Sequence, residues 1–193
     1  MLSMLLEVVF SVIVLIPIYL ILNKVKFHSM KKTIYYFVFA TYLSAVYLFV
    51  GMPTLQFMRF ELSITLIPFI PMLADLKNTI LNIILFVPLG IMLPLLWKKY
   101  HSLKSTVVFS FLLSLSIELL QILTYRATDI NDLIANTLGA ILGYFIYSIV
   151  SRIIPTLNKI ARKKNDIAII IASVLFVNFF IQPYLATLYY KIT

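Results

Sequence analysis

The sequence predicts an all-α fold, a polytopic membrane helix bundle of six transmembrane helices with an irregular interfacial segment between helices two and three. Three observations predict it. Hydrophobic residues make up 62% of the 193 residues and charged residues only 12%, about half the charged share of a soluble domain. Apolar runs long enough to cross hydrocarbon recur along the chain, and Lys and Arg collect in alternate loops between them. A mean hydropathy of +1.03 leaves too little polar surface to cover a water-exposed globule, which argues against a soluble enzyme or a disordered regulator. Sixteen Lys and Arg against seven Asp and Glu could suggest nucleic acid as a partner. Basic residues flanking apolar spans have the simpler use of orienting a membrane protein, so no nucleic-acid partner is expected.

A transmembrane helix needs roughly 20 apolar residues at about 1.5 Å rise each. Six segments qualify: 4–22, 34–52, 79–97, 105–125, 131–151 and 167–187. No Lys or Arg precedes the first run and no A-x-A-like site follows it, so it reads as an uncleaved span rather than a signal peptide. Lys24, Lys26, Lys31 and Lys32 follow span one, and Lys98, Lys99 and Lys104 follow span three. Arg152, Lys159, Arg162, Lys163 and Lys164 follow span five, which puts twelve of the sixteen basic residues on one side. Arg59, Lys77, Arg126 and Lys191 fall on the other. The reading is therefore a multi-pass membrane protein with both termini outside and the three basic loops in the cytoplasm. Only Asp166 among the acids is then cytoplasmic; Glu7, Glu61, Asp75, Glu118, Asp129 and Asp132 lie in the outer half or outside.

The segment 53–77 is too apolar for a solvated loop. Phe60, Leu62, Ile64 and Leu66 alternate with Arg59, Glu61, Ser63 and Thr65, a two-residue period fitting a strand or an interfacial segment. Pro68 and Pro71 stop any helix there. Non-helical backbone at membrane depth needs protein cover or a wet cavity, so this segment is expected to cap the outer side of the bundle.

Spans three and five begin alike, with "DLKNTILN" from Asp75 and "DINDLIAN" from Asp129. Each Asp is placed to cap a helix, and Asn78 with Asn82, like Asp132 with Asn136, share a face at i, i+4. The pattern suggests related hairpins, 34–97 and 105–151, running in the same direction. Span four carries Thr106, Ser110, Ser114 and Glu118 at four-residue spacing, with Gln121 and Tyr125 nearly in line. Interhelical packing is the plain reading of the small hydroxyls. Glu118 differs, because a carboxylate lying roughly 10 Å inside Tyr125 along the helix is costly unless paired or hydrated. Ala135, Gly139 and Gly143 make a small-residue ridge for close helix approach.

"LIPF" at 66–69, "NIILFVPLG" at 82–90 and "SIELLQILTYRATDINDLIANTLGAILG" at 116–143 resemble the VanZ-like family of membrane proteins, whose namesake is associated with resistance to the lipoglycopeptide teicoplanin. The chain reads as one transmembrane domain, 1–193, with a family-like core at 64–147. The pattern carries over to Asn82, Phe86, Pro88 and Gly90, to Glu118 and Gln121, to Arg126 and Asp129, and to Asp132, Asn136, Gly139 and Gly143. Thr65 departs from it where relatives carry Asn, and is left out of the site. The resemblance implies an envelope role in a Gram-positive bacterium and reduced susceptibility to teicoplanin; it supplies no mechanism.

The candidate ligand-binding residues are Asn78, Asn82, Glu118, Gln121, Arg126, Asp129, Asp132 and Asn136, framed by two helix N-termini that favour anions. As a binding protein, the cluster would take the headgroup of a membrane lipid, a lipid-linked cell-wall intermediate or a lipoglycopeptide. As a membrane-embedded enzyme, it would use Glu118 as acid or base, Arg126 to stabilise negative charge, and Asp129 or Asp132 to orient water or a divalent cation, without a recognisable nucleophile motif. As a proton-coupled carrier it would use Glu118, and six spans would call for a homodimer. Arg126 with Asp129 and Asp132 also reads as an ion-pair network pinning the turn between spans four and five. No cofactor is expected. The absence of cysteine excludes thiolate metal sites and catalytic thiols, and His28 and His101, each near lysines between apolar runs, make a poor metal site.

Overall fold

The structure, a computed structural model, describes residues 2–56, 58, 60, 64–65, 69, 72, 75–124, 128–162 and 166–192. It is an all-α membrane protein. Among the described residues, five helical runs are long and apolar enough to cross a membrane: Met4–Phe27, Leu76–Leu96, Leu103–Gln121, Ile130–Ile153 and Ile167–Lys191. The expected second span is a helix, Met30–Phe49, but is not among the five. Lys31, Lys32 and four tyrosines lower its apolar content. The chain divides into two compact units, 1–60 with 166–193, and 61–165.

In the first unit, α1 (Leu2–Leu22) runs on through a π-turn, Asn23–Phe27, and stops at His28 in the left-handed region. The Asn23 side chain clasps the following turn, its Oδ1 accepting from the Ser29 amide at 3.0 Å and the Thr33 hydroxyl at 2.9 Å. The chain then reverses into α2 (Met30–Phe49), and Phe27 meets Tyr36 edge to face. The last apolar run is interrupted: α6 (Ile167–Phe176) passes through a π-turn, Val177–Ile181, into α7 (Gln182–Ile192). Pro183 has no amide hydrogen, so the Phe179 carbonyl loses its helical donor. The Leu55 amide fills that place at 3.1 Å.

Several buried polar groups in this unit are paired across helices, while the Thr41 and Thr54 hydroxyls are buried without a hydrogen-bond partner among the described residues. Asn178 accepts from the Ser11 hydroxyl at 2.8 Å and donates to Ser44 Oγ at 2.9 Å. Asp166 forms a 2.7 Å ion pair with Lys32, and the Lys32 ammonium also lies about 5 Å from the Phe27 and Tyr36 rings.

The second unit spans residues 61–165 and so includes the stretch 64–147 that the sequence marks as the expected core. It consists of α3 (Leu76–Leu96), α4 (Leu103–Gln121) and α5 (Ile130–Ile153), with a two-residue parallel pairing of Ile64–Thr65 on Thr128–Asp129. That pairing agrees with the period-two pattern and places the backbone of 64–65 beside the entrance to α5; Pro68 and Pro71 lie outside the described residues. Helices α3 and α5 run parallel in close contact. A Cβ on Gly139 would collide with the Ile83 carbonyl, one on Gly143 with that of Val87, and one on Gly90 with that of Ala140. The small-residue ridge thus meets bare backbone, the arrangement by which membrane helices gain van der Waals contact without a hydrophobic driving force. Helix α4 runs antiparallel to both, begun by Ser102, whose Oγ accepts from the Ser105 amide at 3.2 Å.

Candidate functional site

Because α3 and α5 are parallel, their N-termini open at the same end of the second unit. Each is capped as its sequence suggests. Asp75 Oδ1 accepts from the Asn78 amide at 3.1 Å, and Asp129 Oδ1 from the Asn131 amide at 2.9 Å. One turn further in, Asn82 Nδ2 donates to Asp132 Oδ1 at 2.6 Å, a charge-assisted bond joining the two helices. Helix α4 brings its C-terminal end to the same place. There Glu118, 3% exposed, accepts the backbone N–H of Asp129 on Oε2 at 2.9 Å. The carboxylate therefore reaches the start of α5 through the main chain, and fixes the residue that caps that helix.

The polar stripe of α4 is buried throughout at Thr106, Ser110, Ser114, Glu118 and Gln121. Its members differ in what they do. Thr106 donates to the Tyr100 carbonyl at 2.8 Å, which ties down the turn before α4. Ser114 Oγ accepts from Asn136 Nδ2 at 2.9 Å and so joins α4 to α5. Ser110 Oγ and Asn136 Oδ1 are buried without a hydrogen-bond partner among the described residues.

Of the sequence-derived site residues, Asn82, Glu118, Asp129, Asp132 and Asn136 are thus bound to one another or to neighbouring backbone and hydroxyl groups at one end of three helices. Gln121 is buried one turn beyond Glu118. Asn78 is half-buried on the first turn of α3. Arg126 and Tyr125 lie outside the described residues, so the expected contacts of Arg126 with Asp129 and Asp132 do too. Among the described residues, no group of three or more His, Cys, Asp or Glu side chains is arranged to hold a metal ion.

Asn131 was not singled out in the sequence, yet it is buried and central. Its Nδ2 donates to Asp129 Oδ1 at 2.7 Å, and its Oδ1 accepts the Phe69 amide at 2.8 Å. Phe69 has a left-handed backbone, φ 68°, which costs a non-glycine residue about 1–2 kcal/mol. The Asn131 bond holds it there, with Phe69 61% exposed. The available signal was a second polar residue two positions after the helix-capping Asp129; the partner it takes is 62 residues away and has no sequence signature.

A family model described as VanZ/LLP1 matches residues 9–151. Protein VanZ of Enterococcus faecium is 33% identical over 114 residues, 58% of this chain and 66% of that protein's length, just under two thirds. No solved structure matches.

Proposed function

The chain belongs to the VanZ/LLP1 family, and on that premise we propose that it lowers susceptibility to the lipoglycopeptide teicoplanin by holding an amphiphile at the acidic end of α3, α4 and α5. The occupant is the headgroup of the drug or of a lipid-linked cell-wall intermediate. The observation that carries this reading is a polar cluster beside an exposed aromatic ring: buried Glu118, the Asn82–Asp132 bond and buried Asn131 on one side, and the outward Phe69 on the other. An amphiphile needs both kinds of surface in one place. On the same reading the helix Met30–Phe49 is a sixth span, both termini are extracellular, and the acidic end faces the outer leaflet.

The burial of Glu118 favours a second reading. A carboxylate inside an apolar helix is a default candidate for proton chemistry, so Glu118 would serve a membrane-embedded enzyme acting on a lipid-linked substrate, or a proton-coupled carrier. One experiment separates the two. Expression of the chain in a susceptible host should raise resistance to teicoplanin more than to vancomycin, because teicoplanin's acyl tail adds a membrane partition term of about 0.8 kcal/mol per buried methylene. At equal membrane abundance, Glu118→Gln keeps shape and an acceptor oxygen but loses charge and proton exchange. A passive amphiphile binder retains part of its protection in that variant. Complete loss would reject passive binding and move the enzyme or carrier reading to first place.

A further inference from the structure

The end of the second unit opposite the acidic cluster has a different composition. Residues 83–117 and 133–162 contain no Asp or Glu, yet hold Lys98, Lys99, Lys104, Arg152, Lys159 and Arg162. Lys99 and Lys104 sit at the head of a groove of about 380 Å³ that also passes Ser102, Val108, Phe109 and Leu112. Both lysines are exposed, and neither has an acidic partner among the described residues. Below them Val108 and Leu112 are about half exposed, 48% and 54%. Lys104 to Leu112 is eight residues of α4, about 12 Å along the axis.

A neighbouring cavity of about 390 Å³ offers a contrast. There Tyr144 already donates to the His101 carbonyl at 2.7 Å and Tyr147 to Asn158 Oδ1 at 2.7 Å, so those two hydroxyls are occupied within the protein. The groove instead presents two unneutralised ammonium groups above an apolar trough.

We propose that this groove binds one anionic phospholipid, its phosphate held between Lys99 and Lys104 and an acyl chain laid along Val108, Phe109 and Leu112. A zwitterionic headgroup brings its own cation against the lysines and gains less, since each Lys near an anionic lipid surface contributes a factor of about five. The site is separate from the one proposed for the drug or cell-wall ligand, and stands whether or not that reading does.

The test is native mass spectrometry of the delipidated full chain in detergent, titrated with phosphatidylglycerol or with phosphatidylcholine of the same chains. Phosphatidylglycerol is expected to bind on the order of 25-fold tighter, two lysines at a factor of about five each. Lys99→Gln with Lys104→Gln should reduce it to the phosphatidylcholine level and leave phosphatidylcholine binding unchanged. Lys24→Gln with Lys26→Gln, an equal loss of charge elsewhere, should have no such effect. Equal affinity for the two lipids would overturn the proposal, as would equal losses in the two double variants, which would mean that net charge alone attracts the lipid. Displacement of phosphatidylglycerol by millimolar inorganic phosphate would make the site one for free phosphate and reject the lipid.

Discussion

Glu118 Oε2 accepts the backbone amide of Asp129 at 2.9 Å, so a side chain from the last turns of α4 supports the residue that caps α5. The carboxylate is buried and charge-assisted bonds of this kind are among the stronger ones. Any account of Glu118 in function must therefore include its work on the helix entrance.

The two roles separate by substitution. Glu118→Ala leaves the Asp129 amide without its acceptor and should lower stability by about 1–3 kcal/mol, whereas Glu118→Gln retains an acceptor oxygen and should lose less. Thermal unfolding of the purified variants in detergent checks this. Equal destabilisation by Ala and Gln would mean that the bond contributes by charge rather than by occupying the amide.

Gly139→Ala should destabilise the chain, although Gly to Ala within a helix normally gains roughly 0.5–1 kcal/mol. The added methyl meets the Ile83 carbonyl, and backbone cannot rotate away as a side chain can. Overpacking of this kind costs about 1–3 kcal/mol. A melting temperature equal to or above that of the unaltered chain would contradict the backbone contact of α3 with α5.

The Lys32–Asp166 pair lies where Asp166 is 2% exposed by its side chain and Lys32 14%. Asp166→Ala should cost about 3–5 kcal/mol, because it strands a buried ammonium. The double variant Lys32→Met with Asp166→Ala should recover much of that loss. Chemical denaturation of the single and double variants measures the coupling, and strict additivity would show the pair to be energetically idle.

Tags at residues 1 and 193 should both react with an impermeant reagent in intact cells, while cysteines introduced at Lys99 and Lys159 should be protected. The prediction rests on the alternation of basic loops. A protected N-terminus with a reactive C-terminus would mean an odd number of spans, and would make Met30–Phe49 the helix to examine.

Much of the site was legible from the residues alone. Asp75 and Asp129 were readable as helix caps, because capping is settled within three residues of chain. The Gly139 and Gly143 ridge was readable as a close-approach surface, and the identity of its partner was not. The burial of Glu118 was expected from an apolar run continuing to Tyr125, but α4 ends at Gln121, so Glu118 lies on its last turn and is buried against the Asp129 backbone. Asn131 escaped notice because its partner, Phe69, belongs to a distant segment.

By itself the sequence determined that the protein is an all-α membrane protein, where its apolar helices lie, and which helix entrances carry polar groups. Those properties come from composition, from the 3.6-residue period and from caps, all of which act within a few residues of chain. The tertiary structure alone decided that α3 and α5 meet in parallel, backbone to backbone, that Asn82 faces Asp132 and Ser114 faces Asn136, and that a π-turn opens around Asn178. The physical reason is that a buried polar atom takes whichever partner the rotation and register of two packed helices bring to it, and neither quantity is encoded in one helix alone.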